Sequence, residues 1–321
     1  MKIDKIGIAL AAYRPNIAFL AEQLASIQGQ SCGQWVCQVT FDSPMGEVLA
    51  EQRIRGFLQD SRFVFSENPE RHGPRGNFQR AIQACLKDGA QAIACADQDD
   101  VWYPEKLADC VKRLEGCGPL SLVHSDMHVL GQAGIEVATV WAQEQRRVDL
   151  AATGHLLIRN VVTGCTMVMD AELARMYPVI PEGADFHDHW YALAASCHGG
   201  VHAIARPLMA YRQHGGNTVG VSTFPGVFWI PESAGWRTAV TACFRDWSNT
   251  HRLALTVASQ AMPLSFGQRL VFLRRWDFGL GILAIGIKGH WQDRRLARAS
   301  LKRAFGKFLW CLGYSGTSVK G

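Results

Sequence analysis

Two short runs without a polar side chain, Ile6–Ala12 and Ala92–Ala96, constrain this chain more than any other feature. Strands that are apolar on both faces must be covered on both, which is the habit of a parallel sheet sandwiched by helices. Between the two runs, helix and strand patterns alternate. Leu20, Leu24 and Ile27 fall at helical spacing after Pro15-Asn16, and Phe78, Ala81, Ile82, Cys85 and Leu86 mark one face of a second helix. Val36–Phe41, Arg62–Ser66 and Leu120–His124 read as strands, and Pro104 suits the first position of another helix. Further on, Val161–Met169 and Val201–Tyr211 read as strands, with a helix near Asp188–Ser196 between them. The alternation predicts an α/β fold: a mainly parallel sheet with helices on both faces.

Composition sets the outer limits. With 321 residues, 48% apolar and 19% charged, the chain can bury one large core or two, and a disordered chain is excluded. The longest apolar stretch, Phe278–Ile287, has ten residues, whereas a spanning helix needs about 20. The N-terminus imitates a secretion signal, but its apolar run is short and Asp4 interrupts the basic flank; it reads as a first strand. Ten cysteines are scattered without a C-x-x-C pair, the pattern of reduced, buried thiols in a cytosolic protein. The net charge of +5 is uneven, because Gly267 to the end holds eleven Lys/Arg and two Asp/Glu. Leu270–Leu273, Trp276, the Phe278–Ile287 run, Trp291 and Trp310 lie among those charges. Two readings fit: a helix lying on an anionic membrane surface, or a helical subdomain with a solvated basic face. No nucleic-acid motif accompanies the charge, so no nucleic-acid partner is expected. Gly215–Pro231 reads as a flexible connection to this tail.

In an open parallel sheet, ligands bind beyond the carboxyl ends of the strands. Asp97-Gln98-Asp99-Asp100 follows the strand Ala92–Ala96, and three carboxylates in four residues repel one another unless a cation lies among them. Such oxygens suit Mg²⁺ or Mn²⁺, ions that in turn hold phosphate. A solvated acidic turn before the next helix is the plainer alternative. Asp188, between His187 and His189, reads as a reactive carboxylate or as a helix cap. His214, at a strand end before paired glycines, is a metal-ligand candidate. Gly279-x-Gly281-x-x-Ala284 copies a dinucleotide fingerprint without its strand or its acid, and no P-loop lysine motif is present. A zinc cluster of His187, His189, His198 and His202 is disfavoured, because Gly199-Gly200 takes the last two off a common helix face.

Taken in order, several segments carry a resemblance: Tyr13-Arg14-Pro15-Asn16, Asn77-Phe78, Asp97-Gln98-Asp99-Asp100-Val101-Trp102, Val162-Thr163-Gly164-Cys165-Thr166, His187-Asp188-His189-Trp190, and Tyr211-Arg212-Gln213-His214 with Asn217. From roughly Lys5 to Gly220 the chain resembles the bacterial branch of family 2 inverting glycosyltransferases, rhamnosyltransferases especially. The resemblance implies a GT-A fold over 1–223, with a nucleotide-sugar half (1–125) and an acceptor half (126–223), followed by a helical region 224–321. It implies a UDP- or dTDP-sugar donor and a saccharide or lipid-linked saccharide acceptor, as in O-antigen, capsule or other cell-surface polysaccharide assembly. The expected place is the cytoplasm, at the inner face of the membrane.

Residue by residue, the resemblance makes Asp99 and His214 the ligands of Mn²⁺ or Mg²⁺, places Asp97 nearer the nucleotide ribose, and counts Gln98 among the donor-binding residues. Ala12, Tyr13 and Arg14, with Asp42, would contact the nucleobase, and Arg75 and Asn77 complete the donor side. Asp188 matches the catalytic base, while Trp190 and Asp126 would border the acceptor; Asp126 alternatively just ends its strand. Two departures stand out. Phe41-Asp42-Ser43-Pro44 replaces the family's Asp-Asp-Gly-Ser, and Gly76 replaces a basic residue before Asn77, leaving Arg75 one place earlier. A sugar-nucleotide-binding protein without catalysis is an alternative. A nucleotidyltransferase would need a Gly-rich basic loop where Ala11-Ala12-Tyr13-Arg14-Pro15 stands.

Overall fold

The computed structural model describes residues 2–144, 146–151, 156–184, 186–215, 236–260 and 294–311. The chain divides into two compact units: Met1–Glu144 with Val162–Ile180 and Asp185–Val221, and Gln145–Val161 with Pro181–Ala184 and Ser222–Gly321.

The first unit is built on one sheet. Strands β1 (Ile6–Ala12), β2 (Trp35–Phe41), β3 (Phe63–Glu67) and β4 (Ala92–Ala96) lie in the order β3-β2-β1-β4, all parallel. Then come β5 (Val101–Trp102), β6 (Leu122–Gly131), β7 (Gly134–Thr139), β8 (Met167–Asp170) and β9 (Val201–Arg212). They continue the sheet as β8-β6-β9-β5, with β7 beside β6. Here the sheet is mixed: β8 runs antiparallel to β4 and β6, β6 and β9 are parallel, and β5 opposes β9.

Helices bury their predicted stripes against this sheet. In Ile17–Gln28 the Asn16 side chain caps the first turn by accepting from the Ala18 and Phe19 amides, and Leu20, Leu24 and Ile27 face inward. Gly73–Lys87 buries Phe78, Ala81, Ile82 and Cys85. It approaches β1 closely enough that a Cβ on Gly7 would lie 2.5 Å from the Cys85 Cβ. Ile8, Leu10, Val39 and Phe41 are fully buried, each contributing about 1.5–3 kcal/mol through removal from water. Nine cysteines have described side chains; all nine are free and five are buried.

Three expectations are corrected. The run Val161–Met169 is not one strand: Gly164–Thr166 forms a 3-10 turn before β8 begins at Met167. The Thr166 amide and hydroxyl both donate to the Thr163 carbonyl and close that turn, a local bond that apolar patterning cannot reveal. The strand expected over Leu120–His124 begins at Leu122 and runs to Gly131, because Asp126 and its neighbours continue pairing with β9. Pro104 stands two residues before the helix Lys106–Glu115 rather than at its first position.

In the second unit, the helices Trp236–Ser259 and Arg294–Cys311 pack together with Trp247, Leu253, Ala254 and Val257 buried. Gly306 permits the contact, since a Cβ there would lie 2.2 Å from the Cys243 carbonyl oxygen. Phe305 and Phe308 remain exposed, their rings 6.4 Å apart. Among the described residues no helix is long and apolar enough to cross a membrane. The expectations for Leu270–Leu273, Trp276, Phe278–Ile287, Trp291 and Asn217 lie outside the described residues.

Candidate active site

The carboxyl ends of β1 and β2 are tied by a buried polar network. Asn77 donates its amide to the carbonyls of Ala12 (3.1 Å) and Thr40 (3.0 Å) and accepts from Asn68. Asp42 accepts from the Asn68 amide and from the backbone N–H groups of His72 and Gly73. Burial alone would raise the Asp42 carboxyl, but these three donors outweigh it and leave it below the usual carboxylate range. Asp42 and Asn77 thus shape the loops beyond β1 and β2 through inward bonds. Tyr13 donates its amide to Gln98 Oε1 at 2.8 Å, joining the ends of β1 and β4. Arg14 holds a left-handed backbone, φ 42°, a strained conformation for an arginine, with its amide bonded to Ser43 Oγ. Arg71 lies 4.6 Å and Arg14 5.3 Å from the centroid of the Tyr13 ring. Arg75 sits half-buried in the first turn of Gly73–Lys87.

The acidic loop after β4 meets the end of β9. His214 Nε2 lies 2.7 Å from Asp99 Oδ2, and Asp100 Oδ1 accepts the Arg212 amide at 3.0 Å. The Arg212 guanidinium donates to the Asp99 carbonyl, pairs with Glu22, and lies 4.3 Å over the Phe19 ring. Asp97 reaches solvent in part, yet burial is the main cause that pushes its carboxyl up to about 7, reinforced by the charges of Asp99 and Asp188. Burial likewise drives Asp100 well above its ordinary value, reinforced by the charges of Asp97 and Asp99.

The third contribution comes from the Gly164–Thr166 turn and the helix His187–Ser196. Asp188 Oδ2 accepts the Gly164 amide at 3.0 Å, and Oδ1 accepts the His189 amide at 2.6 Å. His187 is buried, stacks on Phe78 with centroids 3.7 Å apart, and burial pushes it down to about 3. Gly164 is required there, because a Cβ would lie 2.5 Å from His187 Nε2.

Two expected acceptor residues are placed differently. Trp190 is only 1% exposed and sits edge-on to Tyr177, so it packs beneath the helix instead of lining an open surface. Asp126 lies within β6, buried, with Oδ1 taken by the Met127 and Trp141 amides.

Sequence reasoning missed Lys106 and Cys165. Both are fully buried, and the carboxylate oxygens of Asp97 and Asp100 lie with Cys165 Sγ within 4.8 Å of one another, a grouping that could hold a metal ion. Burial raises the Cys165 thiol well above its ordinary value, and its soft sulfur is a poor match for a hard cation. Lys106 supplies positive charge there instead: burial lowers its ammonium to about 8, while Cys165, Cys110, Asp100 and Asp97 oppose that shift. The signal was available, since Lys106 shares the inward stripe of its helix with Leu107, Cys110 and Leu114.

Residues 17–163 match the family described as glycosyl transferase family 2. The family 2 match takes in Asp42, Asn77, Asp97 and Asp99, and ends before Asp188 and His214. Residues 1–349 of S. aureus TarS are similar in structure, with a TM-score of 0.54 at 12% identity, covering 97% of this chain and 92% of that one. The same protein with UDP gives 0.53 at 11% identity, with the same 97% and 92% coverage. With UDP-GlcNAc it gives 0.52 at 13% identity, covering 96% and 92%. The likeness is one of fold, and that fold is the mixed α/β GT-A arrangement. No curated protein matches the chain in sequence.

Proposed function

We propose that this chain is an inverting glycosyltransferase that moves a sugar from a UDP- or dTDP-sugar to a hydroxyl of a saccharide or lipid-linked saccharide. One observation carries the reading: Cys165 Sγ lies within 4.8 Å of the Asp97 and Asp100 carboxyl oxygens and is one residue from the Gly164 amide that Asp188 accepts, while Asp99 of the same acidic loop meets His214 at 2.7 Å. The pair suited to hold a cation and the carboxylate suited to act as a base therefore belong to one site. The family 2 domain supports transfer of a sugar, and the solved structures with UDP and UDP-GlcNAc support a nucleoside diphosphate donor.

The donor set fits a divalent cation, because Asp99 offers a hard oxygen and His214 an imidazole nitrogen, both partly accessible. Asp99 and His214, with Asp97 beside them, would hold Mn²⁺ or Mg²⁺, which supplies positive charge against the leaving diphosphate. Asp188, its oxygens oriented by the Gly164 and His189 amides, takes the proton of the acceptor hydroxyl. The acceptor oxygen then bonds to the anomeric carbon as the bond to the diphosphate oxygen breaks, inverting that centre. Tyr13, Arg14 and Arg75 face the donor, and Asp42, Asn77 and Gln98 fix the loops around it.

Residues 1–223 serve as the transferase domain, and 224–321 bring it to an anionic membrane through basic and aromatic side chains that include Phe305 and Phe308. The decisive test is thermal shift and calorimetry with a panel of sugar nucleotides, UDP-GlcNAc and dTDP-rhamnose among them, with and without Mn²⁺. At least one should stabilise the protein in a Mn²⁺-dependent way, and Asp99→Ala should remove that dependence. Unchanged Mn²⁺-linked affinity in Asp99→Ala would sink the assignment.

A further inference from the structure

Lys106 is an unexpected side chain for the sheet's interior: a lysine with no exposed surface. An ammonium in such a place must find partners for its three N–H donors and a negative charge nearby. Its Nζ donates to the Cys165 carbonyl, lies 3.3 Å from Met209 Sδ, and sits 3.8 Å above the Trp102 ring. Those partners belong to three elements: the Gly164–Thr166 turn, β9 and β5. Asp97 and Asp100, in the acidic loop directly before β5, lie against the same turn, their carboxyl oxygens within 4.8 Å of Cys165 Sγ.

The Cys165 carbonyl is one residue from the Gly164 amide that holds Asp188 Oδ2. The same turn is backed by His187, against which Gly164 packs with no room for a Cβ. Lys106 thus grips one side of a three-residue turn whose other side grips Asp188. Few covalent bonds separate the two contacts, so a shift at one passes to the other.

We infer that Lys106 is a positioning residue: it locks the Gly164–Thr166 turn so that the Gly164 amide aims the Asp188 carboxylate. The inference rests on the reading of Asp188 as the base of a sugar transferase. It adds that the base is set from beneath by an internal cation, which also joins the base to the acidic loop. Neither Lys106 nor Cys165 needs to touch substrate for this.

The test uses the full chain with Lys106→Met, which keeps the length and loses the charge, and Lys106→Gln as a second variant should the first fold poorly. Hydrogen exchange is read first, since it requires no substrate. The segment 162–167 should exchange at least about tenfold faster in either variant while β1 keeps its protection. Turnover is then read as nucleoside diphosphate release from UDP-GlcNAc, or from dTDP-rhamnose if the panel selects it. For Lys106→Met, kcat should fall about 10- to 100-fold with the donor KM nearly constant, the signature of a misaimed group. In an Asp188→Asn background the same change should cost less than about threefold more, because the group it aims is already gone. Unchanged exchange at 162–167, or losses that simply multiply in the double variant, would overturn the role of Lys106 while leaving the base reading intact. Near-normal turnover of Asp188→Asn alone would instead overturn the base reading and this inference with it.

Discussion

Replacing Asp188 by Asn separates its observed role, accepting two amides, from its proposed one as base. Asp188 accepts one amide on each oxygen, from Gly164 at 3.0 Å and His189 at 2.6 Å. An asparagine has one acceptor oxygen, so one of these amides loses its partner, at a cost of about 1–1.5 kcal/mol. The charge near the start of the helix His187–Ser196 adds about 0.3–1 kcal/mol more. A loss of about 1–2.5 kcal/mol would lower the melting temperature by roughly 2–10 °C. A domain with about 5–15 kcal/mol of stability stays folded through that change at assay temperature. Removal of a general base, by contrast, slows turnover by about 10²–10⁴-fold. That is roughly 2.7–5.5 kcal/mol of barrier. The variant should therefore remain folded and bind the nucleoside diphosphate with Mn²⁺ as the native protein does, yet turn over a hundredfold more slowly or worse. Calorimetry, a melting curve and a turnover assay on one preparation check all three. Turnover above a tenth of the native value would refute the reasoning, and Asp188 would then be an anchor for the Gly164 turn alone.

Other expectations follow from the same geometry. Because burial first, and then Asp99 and Asp188, raise Asp97 to about 7, the folded, metal-free protein binds a proton that the unfolded chain releases near 4. Stability in chelator should fall as pH rises from about 4 through 7, and Asp97→Asn should flatten that slope in melting curves; a native slope in the variant would refute it. Gly164→Ala pushes a Cβ to within 2.5 Å of a buried imidazole and should cost about 1–3 kcal/mol in denaturant unfolding. If Arg294–Cys311 docks on lipid, Phe305→Ser with Phe308→Ser should weaken co-sedimentation with anionic vesicles, and salt should release part of the native protein. Equal sedimentation of the two proteins would leave that helix as packing only.

Much of this molecule is legible from local pattern. Ile6–Ala12 and Ala92–Ala96 could only be strands covered on both sides, and both are observed with those limits. The stripe Leu20, Leu24, Ile27 likewise faces the core as its spacing demands. Such features depend on side-chain period and apolarity, which a sequence displays directly. The order of motifs also brought out Asp99 and His214, 115 residues apart yet 2.7 Å apart in space. What pattern could not settle was the direction each polar side chain takes. Asp126 and Trp190 have the chemistry of ligand contacts, but long-range packing turned one onto backbone amides and the other into the core. Asp42 accepts amides, and Asn77 donates to carbonyls, of segments distant in sequence, bonds that no local pattern displays. The Gly164 turn is apolar enough to pass for a strand, and only the Thr163–Thr166 bonds and the His187 ring behind it decide otherwise. Lys106 shows the division most clearly. Its place on an inward helix stripe was written in the sequence, but the partners that make a buried ammonium tolerable, Cys165, Met209 and Trp102, exist only once three separate elements have met.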